Sequence, residues 1–79
     1  MKADDFNVGD SVKITNSEGF AIITGGWIPS KDLQYPVIGT ITNKQRIMFA
    51  TFCVGYAIAV NGVGFKLNNL IEHNFIEKI

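Results

Sequence analysis

The dipeptide Asn61-Gly62, set between two runs of alternating apolar residues, constrains this chain more than any other feature. Asn-Gly is the preferred pair for a type I′ turn because both central residues take positive φ there, and a two-residue loop fixes which residues face each other. Val60 then pairs with Val63, Ile58 with Phe65 and Tyr56 with Leu67, and a period of two puts all six on one face. Ala57, Ala59, Gly64 and Lys66 fall on the other, small or polar face. The sequence therefore predicts an antiparallel hairpin over Tyr56–Leu67 with one side turned to a core.

The same alternation recurs elsewhere, and no window keeps helical spacing. Val8-Gly9-Asp10 reads as a turn leading into Val12–Thr15, with Val12 and Ile14 inward. Asn16–Gly19 is a cluster of turn formers, and Phe20–Ile23 a short strand ending at Thr24-Gly25-Gly26. From Gly25 to Pro36 two glycines, two prolines and Lys31-Asp32 break the pattern, which predicts a long excursion loop. Val37–Asn43 reads as a strand with Gly39 at a bend or bulge, and Asn43-Lys44-Gln45 as a polar turn. Ile47–Val54 is apolar on both faces and suits a central or covered strand ended by Gly55. Asn68–Ile71 suits one helical turn capped by an asparagine, with Leu70 or Ile71 as a plug, and the tail from Phe75 a last strand or a turn of helix.

Seventy-nine residues with 47% apolar side chains suffice for one core and one domain over residues 1–79, with 1–7 and 72–79 as flexible or edge elements. Seven basic and seven acidic residues cancel without forming a block, which argues against nucleic acid as a partner. Lys31, Lys44, Arg46 and Lys66 would have to converge to make even a weak phosphate-binding face. The longest apolar stretch, Ile47–Val60, is too short to span a bilayer, and the acidic start Ala3-Asp4-Asp5 is not a secretory signal. The expected location is cytoplasmic, without membrane attachment.

Catalytic chemistry finds little to work with. The one cysteine, Cys53, lies between Phe52 and Val54 and is expected to be buried, and the one histidine, His73, is remote in sequence. One Cys and one His do not make a zinc site, and Asp4, Asp5 and Asp10 lack the spacing of a calcium loop. Gly25-Gly26 and Gly62/Gly64 lack the lysine and following helix of a phosphate loop. No enzyme site and no cofactor are expected. What remains is the aromatic set around the long loop: Phe20, Trp27 and Tyr35 beside Pro29 and Pro36, residue types that line shallow peptide grooves. Trp27 is open to a second reading, as core closing one end of a barrel, which the scarcity of other large residues favours. Asn68, just after the hairpin, completes the candidate ligand-binding set.

The segment Tyr56–Leu70, with its tight turn, Gly64-Phe65 and the helical turn ending in Leu70, resembles the closing hairpin of bacterial SH3 domains. Val8-Gly9-Asp10 with Val12 and Ile14, and Thr24-Gly25-Gly26-Trp27-Ile28-Pro29-Ser30, resemble the cell-wall-targeting SH3 domains of phage lysins. The likeness spans roughly residues 8–71. It implies an all-β fold: a small SH3-like barrel of five or six antiparallel strands with a short 3-10 turn near Asn68–Ile71. It also implies a non-enzymatic module that binds a protein or peptide, including the peptide of bacterial cell wall, through the 25–36 loop, and an extracellular wall location within a lysin system. Lys31 stands where the family has an aromatic, and Phe65 where it has Trp. The alternative from the residues themselves is a small intracellular phage- or mobile-element-encoded regulator that docks on a host protein or self-associates through Ile47–Val54. A nucleic-acid-binding barrel is the remaining one.

Overall fold

The computed structural model describes residues 1–23 and 26–79, and at positions 20, 22, 23 and 27 only the backbone. In chain order the strands are β1 (Ser11–Ile14), β2 (Phe20–Ile23), β3 (Gly26–Pro29), β4 (Val37–Phe49), β5 (Phe52–Val60), β6 (Val63–Lys66) and β7 (Ile76–Lys78). A helix, α1, covers Leu67–Glu72, and single 3-10 turns cover Ala3–Asp5 and Ser30–Asp32. All strand pairs are antiparallel, in the order β3-β2-β6-β5-β4-β1-β7, and the result is a small all-β, barrel-like fold.

The Asn61-Gly62 hairpin forms as its turn chemistry requires. Asn61 and Gly62 have φ of 54° and 78°, and Val60 faces Val63 while Ile58 faces Phe65. The ladder ends at Ala57 opposite Lys66, because Leu67 already opens α1. Ile58, Val60, Phe65 and Leu67 are buried, and with Phe6, Val12, Ile14, Ile41, Leu70 and Ile76 they make one core. Leu70 is the plug, and Ile71 packs on the core from its margin.

β4 joins the two halves of the sheet. Its first residues pair with β1 through Thr40 opposite Ser11, and from Ile41 onward it pairs with β5. Two register shifts interrupt the β4–β5 ladder: Thr42 is an extra residue on β4 and Val54 on β5. The first moves the inward phase from Asn43 to Lys44, which faces Ile58, and puts Arg46 opposite Tyr56. Lys44 uses that position. Its ammonium donates to the carbonyls of Ala3 (2.8 Å) and Phe6 (2.7 Å) and lies 4.9 Å from the centre of the Tyr56 ring. The N-terminal segment is thereby latched to the sheet, and Phe6 is fully buried.

Several expectations need correcting. Asn43-Lys44-Gln45 is no turn but strand interior, and the chain reverses at Ala50-Thr51 instead. Ile47–Val54 is therefore not one strand but the two arms of a hairpin tip, and Cys53 is exposed rather than buried. The 25–36 excursion contains β3, whose Ile28 pairs with Ala21, and a 3-10 turn. α1 starts from Lys66 without a side-chain cap, so no asparagine caps it. Gly39 is neither bend nor bulge; a Cβ there would collide with Asn61 Oδ1, and the Asn61 amide donates across it to Ile38 O (3.0 Å). The tail resolves to a strand, β7, on the edge beside β1.

Candidate functional site

Of the five residues singled out for ligand binding, Pro29 is half-buried in β3 opposite Phe20. The side chains of Phe20 and Trp27, and residues 24 and 25, lie outside the described residues. Tyr35 packs against the core, and its hydroxyl donates to Ser30 O at 2.6 Å. Burial pushes the Tyr35 phenol above its ordinary pKa, with a hydrogen bond to Ser17 opposing the shift. Asn68 serves the fold: its Oδ1 accepts the Tyr56 N–H at 2.8 Å and occupies the space that a Cβ on Gly55 would need. Among the described residues no hydrogen bond joins Asn68 to Pro29 or Tyr35.

Sequence reasoning missed Ser30. It is fully buried, its N–H and hydroxyl both donate to Gly19 O (2.9 and 3.0 Å), and its own carbonyl accepts from Leu33 N–H and Tyr35. A serine directly after Ile-Pro that opens a 3-10 turn is the available signal, because a short hydroxyl side chain bonds readily to nearby backbone, here the carbonyl of Gly19. The described part of the 25–36 region is thus tied to the body of the domain by Ser30 at one end and Tyr35 at the other.

The surface that stands out is the far end of the β4–β5 hairpin. Phe49 is 74% exposed and Phe52 69%, facing each other next to the turn, with Met48 at 50% and Val54 at 59%. Past Ile41, β4 pairs only with β5 among the described residues, and past Ala57, β5 pairs only with β4. The tip is thus a two-stranded ribbon with open edges, a shape that is marginal in water unless something covers it. From Ile47 to Phe65 the chain carries no charged residue. Compared with family models, curated proteins and solved structures, the chain matches none of them.

The remaining polar groups disperse. Lys44 is committed to carbonyls, Arg46 shares its face of β4, and Lys66 projects from the opposite face of the sheet, opposite Ala57, so these cations do not converge. His73 lies 3.3 Å from Glu18 and stacks on Phe75, while Cys53 Sγ contacts Gly55 O at 3.4 Å at the ribbon tip. A shallow depression of about 150 Å³ beside β7, lined by Thr15, Asn74, Phe75, Ile76 and Glu77, is below the size of sites that enclose small ligands. No helix among the described residues is long and apolar enough to cross a membrane.

Proposed function

We propose that the chain is a non-enzymatic binding module that docks on a protein surface through the β4–β5 ribbon tip. The observation that carries this reading is the exposure of Met48, Phe49, Phe52 and Val54 together on one projecting, uncharged element. Single exposed apolar residues are ordinary, whereas a contiguous set of large ones marks an interaction site. Aromatics and Met are also the residue types enriched at the centres of protein interfaces. The test is capture from a bacterial lysate on the immobilised domain, with a Phe49→Ser/Phe52→Ser variant and a Trp27→Ala variant alongside. Loss of captured protein in the tip variant alone supports the reading; loss in the Trp27 variant alone transfers binding to the 25–36 loop.

A second reading is the bacterial SH3-type module that binds the peptide of cell wall. Its support is the Asn61-Gly62 hairpin leading directly into a helix that seats Leu70 in the core. Failure of the pure domain to co-sediment with bacterial cell walls removes it.

A further inference from the structure

We infer that the partner of the ribbon tip is a second copy of this chain, joined by antiparallel pairing of the two β5 edges about a two-fold axis near Cys53. This rests on the tip being the binding surface and goes on to name the occupant. An isologous interface places a patch against itself, so it must be free of like charge and complementary to its own rotated image. The β4 edge meets it only at Ile47-Met48-Phe49, since a pairing centred further along, on Gln45, sets Lys44 of each copy against Arg46 of the other. The β5 edge meets it, because Phe52-Cys53-Val54 is uncharged and apolar throughout.

The edge is also open where pairing requires it. β6 leaves β5 at Ala57, and the Tyr56 N–H is taken by Asn68, so the N–H and C=O groups that face outward over Phe52–Val54 have no partner among the described residues. A partner strand centred on Cys53 runs outward past the Ala50-Thr51 turn from its Val54 onward, while its own turn comes to lie beside Gly55 and Tyr56, next to Asn68. Phe52 of each copy then lies opposite Val54 of the other, an aromatic and β-branched pair of the favourable kind.

The area sets the strength. With the exposures given above, the tip offers roughly 400–500 Å² of apolar surface per copy. Two copies together bury at most about 900 Å², below the span of stable specific interfaces and in the range of weak, transient ones. The expected dimer is weak and reversible, with Kd on the order of 10–100 µM.

Cys53 enters as a reporter. Residues directly opposite across an antiparallel pair have Cα atoms about 4.5 or 5.5 Å apart, inside the 4.4–6.8 Å range of a disulfide. Diamide takes two electrons and two protons from the two thiols, forming the S–S bond between copies and leaving the reduced hydrazine.

The experiment is sedimentation velocity across the micromolar range on the reduced chain, with Phe52→Glu as the variant and diamide cross-linking as the second readout. Wild type is expected to pass from monomer to dimer. Phe52→Glu, which places a carboxylate on each side of the axis, should raise Kd at least tenfold with an unchanged circular dichroism spectrum. Wild type should cross-link at least tenfold faster than a Cys53→Ser/Lys31→Cys chain, whose exposed thiol tests random collision. A monomer at several hundred micromolar, or equal cross-linking rates, overturns the self-pairing. So does a monomer that co-sediments with phosphatidylcholine–phosphatidylglycerol vesicles through the tip, which would assign the apolar surface to a lipid interface. If the chain is monomeric but the tip still captures a protein from the lysate, only the identity of the partner has failed; if capture is also lost, the binding reading fails with it.

Discussion

Replacing Lys44 by Met tests the latch that holds the N-terminal segment. Met keeps an unbranched apolar stem of similar reach, so the packing over Tyr56 is retained while the ammonium is removed. Two hydrogen bonds to carbonyls are lost, at 2.8 and 2.7 Å, together with the cation–π contact at 4.9 Å. Hydrogen bonds from a charged donor contribute about 1.5–3 kcal/mol each, and a cation–π contact at a partly exposed site about 0.5–1 kcal/mol. Both bonds share one half-exposed ammonium that regains water on release, so the expected loss is about 2–3 kcal/mol rather than the sum. For a domain of this size 1 kcal/mol moves Tm by about 4–8 °C, which gives a fall of about 10–20 °C. Thermal and urea unfolding of Lys44→Met are to be measured beside Lys66→Met, whose exposed lysine makes none of the described side-chain hydrogen bonds. Hydrogen exchange at Phe6, whose N–H is bonded to Ala3 O at 3.3 Å, reads the latch itself. A Tm within about 3 °C of the Lys66 variant, or unchanged exchange at Phe6, refutes the argument.

Four further outcomes follow from the same structure. Asp10 is held below the ordinary carboxylate pKa first by the Asn7 N–H donated at 2.8 Å, against the opposing effect of partial burial, and then by Lys78 at 3.4 Å and the Lys44 charge; its stabilisation is present above the unfolded value and lost as pH falls through the lower folded one, so Asp10→Asn should flatten urea stability below about pH 4. Tyr35 carries the opposite sign, its stabilisation present below the unfolded phenol pKa and lost as pH rises through the raised folded one; Tyr35→Phe should cost about 1 kcal/mol at neutral pH yet lose less than wild type above about pH 10. Gly39→Ala should destabilise by about 1–3 kcal/mol by displacing the Asn61 amide, and Asn61→Gly in the same chain should recover part of it in a double-mutant cycle. Ala50 sits at φ 54° beside Thr51, so Ala50→Gly should raise Tm through about 0.5–1 kcal/mol, and unchanged stability would show that the tip does not hold that turn in solution.

What could be read from the residues depended on whether phase was preserved. The Asn61-Gly62 hairpin was legible to the level of register because turn chemistry and alternation agree there over its whole length. The β4–β5 ribbon was not, because a bulge adds one residue without any compositional mark and reverses which residues face inward from that point on. The turn at Ala50-Thr51 carries no Gly, Asn, Asp or Pro, so nothing separated the two arms, and an apolar run that is exposed at a tip has the same appearance as one buried in a central strand. Cys53 was misplaced for that reason alone. Ser30 escaped because a buried serine is defined by the backbone groups it meets, which are distant in sequence.

The two bulges also set how the ribbon can change length. Thr42 shifts β4 by one residue relative to β5, and Val54 shifts β5 by one relative to β4. The two displacements cancel in the count, so both ends of β5 close with a two-residue turn, yet between them the strand faces are exchanged relative to uninterrupted pairing. Removing Thr42 alone would delete the extra residue and leave the facing pairs in place, with Asn43 opposite Ala59 and Lys44 opposite Ile58. Removing a single residue between the bulges, such as Gln45, would instead shift the rest of β4 by one against β5 and set Arg46 opposite Ala57, whereas removing two successive facing pairs would shorten the ribbon with its faces kept. Outside the two extra residues, insertions and deletions in this arm are thus expected to survive in even, paired steps and to fail singly, a parity rule imposed by backbone geometry on an otherwise permissive surface.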